Sequence, residues 1–217
     1  MSWLTSWGDY FPQLLDGLKV SLLLTGGALV VGLPLGLLLA LGVQAKRRVL
    51  RFPALLVVEV GRGAPALVIL QFAYFGLPAA GLVLSAYAAA TAALVWGVAA
   101  YTSEIFRAGL NAVPAGELEA ADALGMTRRD RLRFVVMPQG LRIALPALIG
   151  IAILIFQSTA LAYSIAVREL LSQAYSIGSS NFDYLSVLTL AGLMYAAVSI
   201  PATWLTIGLE RRITARS

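Results

Sequence analysis

Five apolar stretches, each long enough to cross a lipid bilayer, dominate this 217-residue sequence. They run over residues 18–43, 52–75, 82–101, 143–162 and 185–209. A membrane-spanning helix needs about 20 predominantly apolar residues, and a backbone in lipid must satisfy its hydrogen bonds within the helix. The sequence therefore predicts an all-α integral membrane protein with five transmembrane helices in one domain.

The composition excludes most soluble and enzymatic classes. Hydrophobic residues make up 59% of the chain and charged residues 12%, against roughly 25% charged residues in soluble domains. Cysteine and histidine are absent, which excludes disulfides, thiolate nucleophiles and histidine-based metal or acid–base sites. Neither Lys19 nor Lys46 follows a glycine, so the chain has no Gly-Lys phosphate-binding loop. We expect a chain that is not an enzyme, binds no metal or cofactor, and has no ATP site of its own.

Basic residues concentrate in the segments after the first, third and fifth stretches. They are Lys46, Arg47, Arg48, Arg51, Arg107, Arg128, Arg129, Arg131, Arg133, Arg142, Arg211, Arg212 and Arg216. The connection after the second stretch is uncharged, and the one after the fourth has Arg168 balanced by Glu169. Because cytoplasmic loops are rich in Lys and Arg, the N-terminus is predicted outside and the C-terminus in the cytoplasm. The net charge of +5 then reflects these loops, and we expect no nucleic-acid partner.

Two segments outside the five stretches also have helical patterns. Trp3, Trp7, Tyr10 and Phe11 fall on one face, which predicts an interfacial N-terminal helix over residues 1–12. After the fourth stretch, "VRELLSQAYSIGSSNFD" predicts a short amphipathic helix on the outer face that ends in a Gly-Ser-Ser-Asn turn. We expect both helices to lie along the membrane surface.

The longest polar segment, residues 108–138, is predicted to form two short cytoplasmic helices. Pro114 can open the first helix, and Gly125 can close it in the left-handed conformation. Thr127 can cap the second helix, and Pro138 is expected to break it before the fourth stretch. The result is a helical elbow on the cytoplasmic side.

This elbow resembles the EAA loop of ABC importer permeases. The pattern is Glu119-Ala120-Ala121, three residues, Gly125, nine residues, Val135, one residue, and Met137-Pro138. The usual form ends in Ile-x-Leu-Pro, so both departures exchange one apolar residue for another. The resemblance implies that residues 108–138 are a coupling loop, that its first helix sits in a cleft of an ATP-binding subunit, and that Glu119 contacts that subunit.

Three further segments resemble the polar amino acid uptake branch of these permeases. They are "RGAPALVILQFAYFGLP" from Arg62, "SEIFRAGLNAVPAGELEAADALG" from Ser103 and "FQSTALAYSIAVRELLSQA" from Phe156. The resemblance implies the type I ABC importer permease (MetI-like) fold in the bacterial cytoplasmic (inner) membrane. It further implies a homo- or heterodimer of permease subunits, ATP-binding cassette subunits that bind ATP on the cytoplasmic side, and an extracytoplasmic substrate-binding protein.

Arg62 is a candidate substrate-binding residue inside the second stretch. A charge near the bilayer centre costs on the order of 3 kcal/mol and usually has a function. Glycines flank Arg62 and Pro65 follows, so we expect a broken helix, which often marks a binding site in transporters. Arg62 could hold a carboxylate with two hydrogen bonds, or it could pair with Glu59 one turn back.

A second candidate is the polar group Gln157, Ser158 and Thr159 in the fourth stretch. These side chains could bind an amino acid substrate, or they could hydrogen-bond neighbouring helices. The matching family segment usually reads Lys-Asp-Thr-Ser, and "FQSTAL" looks most like glutamate/aspartate permease subunits. The expected substrate is acidic, with asparagine or glutamine left open. Gln71 is a weaker candidate contact.

Two other functions remain possible from the sequence. A secondary transporter would need inverted repeats and a site for a proton or sodium ion. Glu59 is the one carboxylate inside the five stretches. A membrane scaffold would explain the small residues of the third stretch, but it would not explain Arg62 or the polar group of the fourth stretch.

Overall fold

The structure, a computed structural model, describes residues 7–214, with side chains up to Glu210. Nine α-helices follow one another over this part of the chain. They are α1 Trp7–Val43, α2 Arg48–Gly63, α3 Ala66–Gln71, α4 Ala86–Asn111, α5 Ala115–Ala123, α6 Arg128–Arg131, α7 Met137–Ser158, α8 Leu170–Asn181 and α9 Tyr184–Thr214. A π-helical turn and a 3-10 turn extend α3 to Ala80, a π turn joins α6 to α7, and a 3-10 segment, Thr159–Ile165, follows α7.

Four helical runs within residues 7–214 are long and apolar enough to cross a membrane. They are Trp7–Val43, Ala86–Asn111, Arg128–Ile165 and Tyr184–Glu210. A fifth span results if α2 and the run Ala66–Ala80 are counted together, although they meet at an angle of 109°. The all-α architecture agrees with the sequence prediction.

The second apolar stretch is broken where the sequence predicts. α2 ends at Gly63, Ala64 is extended, with φ −83° and ψ 140°, and Pro65 caps α3. Proline has no N–H to continue the helical pattern, and its ring forces the preceding residue away from helical dihedral angles. The break therefore follows from local chain chemistry.

The N-terminus differs from the separate interfacial helix predicted for residues 1–12. Trp3 lies outside the described residues, whereas Trp7, Tyr10 and Phe11 belong to α1, which continues unbroken into the first apolar stretch. Trp7 and Tyr10 pack on a cluster formed with α8 and α9. This packing explains why the helix extends beyond the length that a bilayer requires.

Pro138 does not end the second helix of the elbow, contrary to the sequence prediction. The helical run continues from Arg128 to Ile165. A π turn, Leu132–Val136, immediately precedes α7, in which Pro138 is the second residue. The hydrogen-bond register shifts at this turn, so the missing proline N–H falls at a change of register and the helix keeps its course.

Small residues bring the central helices together. α1 packs on α4 at Gly32, where a Cβ atom would lie 2.5 Å from the Cβ atom of Val98. α4 crosses α7 at Gly109, where a Cβ atom would lie 2.5 Å from the carbonyl oxygen of Gly140. Such close approach of backbones is the usual source of helix association in lipid.

We expect Gly32→Ala to destabilise the protein by about 1–3 kcal/mol, because the added methyl group overpacks the contact with the fully buried Val98. The matched control is Gly27→Ala on the same helix, where no neighbouring atom lies within 4 Å of the new methyl group. The control should be neutral or stabilising, since alanine favours helices. Thermal unfolding of the purified variants measures both, and equal midpoints would contradict the packing argument.

Candidate functional site

A partly enclosed cavity of about 210 Å³ lies against the break between α2 and α3. Gly61 and Ala64 of the break, Tyr101 of α4 and Ser158 of α7 contribute to its wall, and most of the remaining wall is apolar. A Cβ atom at Gly61 would lie 2.6 Å from Nε1 of Trp96 and 2.7 Å from Cβ of Ala100, so a larger residue would not fit here. Irregular backbone at membrane depth is tolerated where it lines a cavity of this kind, so the break and the cavity belong together.

Only Ser158 of the predicted polar group lines this cavity. Its hydroxyl donates to the Leu154 carbonyl at 2.8 Å. The Gln157 amide instead donates to the Ser199 hydroxyl of α9 at 3.5 Å, and Thr159 is fully buried with its hydroxyl donated to the Phe156 carbonyl. Consecutive residues of a helix point about 100° apart, which separates the three side chains.

The Arg62 guanidinium lies outside the cavity, in a separate polar groove of about 510 Å³. Its Nη1 atom is 3.9 Å from Oε1 of Glu104, and Arg107 binds the other oxygen of Glu104 at 2.5 Å. Glu59 lines the same groove, but it is not the ion-pair partner of Arg62. The pairing considered from sequence was therefore wrong, because α4 places Glu104 against the guanidinium.

The backbone of Arg62 nevertheless connects the groove with the cavity. Its carbonyl oxygen accepts a hydrogen bond from the Tyr101 hydroxyl at 3.5 Å, and Tyr101 lines the cavity. Glu104 was not selected from the sequence because it follows the apolar stretch 82–101. The sequence pattern that could have identified Glu104 is its position three residues before Arg107, which places the two charges one helical turn apart.

Gln71 does not line the cavity. It is the last residue of α3, and its side chain is exposed. Phe72 and Phe75, which follow it, are likewise exposed. Gln71 therefore lies on an exposed surface together with two aromatic side chains.

The elbow has the conformation that its sequence predicts at Gly125 and Thr127. α5 ends before Gly125, which adopts a left-handed φ of +70°. The Gly125 and Met126 N–H groups donate to the carbonyls of Asp122 and Ala121 at 3.0 and 3.1 Å, which satisfies carbonyls at the helix end. Thr127 accepts a hydrogen bond from the Asp130 N–H at 3.2 Å and caps α6.

One face of α5 packs against the rest of the protein and the opposite face is exposed. Arg131 donates to both carboxylate oxygens of Asp122 at 2.5 and 2.6 Å, which ties α5 to α6. Ala121 is buried, whereas Glu119 and Ala120 are exposed. The EAA residues therefore fall into one anchoring residue and two surface residues.

Sequence reasoning missed the role of Glu169, which it assigned to charge balance with Arg168. Arg168 is exposed, whereas the Glu169 carboxylate is fully buried. It accepts hydrogen bonds from the Leu171 and Ser172 N–H groups at 2.9 and 2.7 Å and from the Tyr195 hydroxyl at 2.8 Å. Glu169 thus caps α8 and connects it to α9. Burial raises the pKa of the Glu169 carboxyl above its ordinary value of 4.5.

We expect the folded protein to become more stable as the pH falls through the raised pKa of Glu169 toward 4.5. A carboxyl whose pKa is raised on folding contributes stability when protonated, and this contribution is lost as the pH rises through the folded-state pKa. Glu169→Gln should remove this pH dependence, whereas the exposed control Asp16→Asn should retain it. Thermal unfolding from pH 8 to pH 4 measures both, and an unchanged profile in Glu169→Gln would disprove the assignment.

Sequence and structure comparisons agree on one family along most of the chain. The family described as "Binding-protein-dependent transport system inner membrane component" matches residues 32–215. The probable amino-acid ABC transporter permease YckA of Bacillus subtilis is 37% identical over 94% of this chain and 90% of its own length. The arginine permease ArtQ of the same organism is 32% identical over 93% of both chains.

Solved structures extend this agreement to three dimensions. A structure described as "Crystal structure of an amino acid ABC transporter with histidines" superposes with a TM-score of 0.90 and 34% identity, covering 96% of this chain and 97% of that one. The MetNI methionine ABC transporter, at 20% identity, 92% coverage of this chain and 95% of its own, shares the fold with a TM-score of 0.66. The chain therefore belongs to the family of binding-protein-dependent transport system inner membrane components, as a permease subunit of an amino-acid ABC transporter.

Proposed function

We propose that this permease imports a polar amino acid and that ATPase subunits drive it through α5. The observation that carries the proposal is the connection between the elbow and the cavity. The Asp122–Arg131 ion pair ties α5 to the helical run that begins at Arg128. The same run reaches Ser158 in the cavity wall. At 1.5 Å per residue, this run spans about 45 Å from the elbow to the cavity.

The exposed face of α5 provides the docking surface. Glu119 and Ala120 contact the ATPase subunit, and Gly125 permits the turn that keeps α5 clear of the membrane helix. A near-complete switch between outward- and inward-facing states needs roughly 5–6 kcal/mol of differential interaction. We assign the source of that energy to the ATPase subunits, which bind the nucleotide.

The cavity at the helix break is the proposed substrate site. Its small volume suits one amino acid, and Ser158, Tyr101 and the open backbone of the break provide polar groups. The sequence favours an acidic substrate or its amide, and the apolar wall supports the amide better. No arginine guanidinium lines the described cavity, so an ionised side chain there would lack a partner.

Arg62 is proposed to act on the substrate carboxylate at the groove rather than inside the cavity. Its ion pair with Glu104 is long, at 3.9 Å, and about a third of the Arg62 side chain is exposed. Gln44 and Asn111, at the ends of α1 and α4, line the same groove, so it opens at the end that the charge pattern places in the cytoplasm. A substrate leaving the cavity would meet Arg62 there. Three other predicted residues would contact the substrate only after a change of conformation; they are Gln157, Thr159 and Gln71.

The positions of the other subunits depend on how the chain is oriented in the membrane, for which we use the orientation predicted from the distribution of basic residues. We propose five spans, with α2 and Ala66–Ala80 as one broken span, an outer N-terminus and a cytoplasmic C-terminus. Exposed apolar side chains on α2 and on the helical turns after α3, including Phe52, Leu56 and Phe72, suit contact with a second permease subunit. The extracytoplasmic binding protein would deliver substrate at the end formed by α8.

Glu119→Lys should abolish substrate-stimulated ATP hydrolysis by the reconstituted complex, because it reverses a charge on the docking face of α5. Membrane insertion should be unaffected, since Glu119 is exposed. The control Asp9→Lys makes the same charge change on an exposed residue near the start of α1. Full stimulation in Glu119→Lys would exclude the docking role.

Ser158→Leu should weaken amino acid binding to the assembled complex at least tenfold. The leucine side chain would fill part of the cavity, and the Ser158 hydroxyl would be lost. Ser164→Leu is the matched control, since Ser164 makes the same kind of hydrogen bond to a helix carbonyl but is exposed outside the cavity. Thermal-shift titration with glutamine, asparagine, glutamate and aspartate measures affinity and the choice between amide and acid. Equal affinities of the two variants would place the substrate elsewhere.

A further inference from the structure

A third recess of about 680 Å³ lies on the elbow side of the molecule, next to the polar groove, with which it shares Gln44 and Asn111. It runs between the ends of α1 and α4 and the elbow helices α5 and α6. Its floor is apolar and includes Leu41, Leu110, Val113 and Leu118. Lys46 and Arg128 stand on its wall, from two segments far apart in sequence. We call it the elbow recess.

The basic groups of the elbow recess differ in their pairing. Arg131, which also lines it, is neutralised by Asp122. Among the described residues, no carboxylate oxygen lies within 4 Å of Lys46 or Arg128. Both side chains are exposed. Two unneutralised cations above an apolar floor match a ligand with an anionic head and an apolar tail.

The surroundings of the elbow recess suit the lipid headgroup region. Eight basic residues occupy the two segments that border it, at positions 46–51 and 128–133. Exposed Leu132 and Phe134 alternate with these basic residues on the second segment, and the Arg133 guanidinium lies 5.4 Å from the Phe134 ring centre. Clusters of four to eight Lys and Arg beside a membrane helix attract anionic lipids.

The elbow recess and the proposed ATPase surface use different sides of α5. Leu118 lines the recess and Ala121 is buried, one helical turn apart on the same side. Glu119 and Ala120 are exposed on the other side. An occupant of the recess would therefore leave the docking face clear.

We propose that the elbow recess binds an anionic phospholipid of the cytoplasmic leaflet. Lys46 and Arg128 hold the phosphate, and the acyl chains lie along the apolar floor. The bound lipid supports α5 from the side opposite the ATPase surface. A free phosphate would use the two cations but not the floor, so the lipid is the occupant that the whole recess fits.

The test measures phosphatidylglycerol binding to the purified full chain in mixed micelles by native mass spectrometry. Lys46→Gln with Arg128→Gln should weaken binding about 25-fold, since each basic side chain near an anionic lipid contributes about 1 kcal/mol. The control Arg48→Gln with Arg129→Gln removes the same charge from the same two segments, at positions that do not line the recess, and should weaken binding by a factor well below 25. Thermal unfolding checks that both double variants fold.

Three results would overturn the proposal. They are equal weakening by the two double variants, equal binding of phosphatidylcholine and phosphatidylglycerol, and displacement of the lipid by millimolar inorganic phosphate. The measurement uses the chain without ATPase subunits, so it does not depend on the importer proposal. Conversely, loss of coupling in Glu119→Lys with unchanged lipid binding would separate the two sites.

Discussion

The structure depends on the requirement that backbone polar groups in lipid find partners within the protein. Continuous helices meet this requirement over most of the apolar sequence. The chain departs from it at Gly63–Pro65, and there the neighbouring helices close around the break. There the Tyr101 hydroxyl of α4 donates to the Arg62 carbonyl, next to the break. The cavity beside the break is therefore a consequence of how the broken backbone is accommodated.

The route from the elbow to this cavity is physically continuous. An ion pair fixes α5 to α6, a π turn carries the helix past Pro138, and α7 reaches the cavity at Ser158. Where α7 crosses α4, Gly109 and Gly140 bring the two backbones close together, and Leu110 and Ala144 pack against these glycines.

Some features of the fold and of the site could be predicted from the sequence, and others could not. The break before Pro65 and the left-handed turn at Gly125 were predictable because proline and glycine act on their own backbone. The elbow helices were predictable for the same reason, apart from the course of the chain at Pro138. The partner of Arg62 was not, because Glu59 lies one turn away on the same helix, whereas Glu104 is far away in the sequence. Only the packing of α2 on α4 selects Glu104. Glu169 is a similar case. The residues around it in the sequence do not show whether its side chain is exposed in a loop or buried as the cap of a helix.

The sequence by itself determined the membrane-embedded class, the helical content and the helical elbow, because apolar length, helix-breaking residues and a spaced motif act locally. Only the tertiary structure decided which polar side chains share a space. It turned Ser158 into the cavity, Gln157 toward α9 and Arg62 into the polar groove. The physical reason is that the direction of a helical side chain depends on the rotation of its helix against its neighbours. That rotation is set by close contacts between residues far apart in the chain.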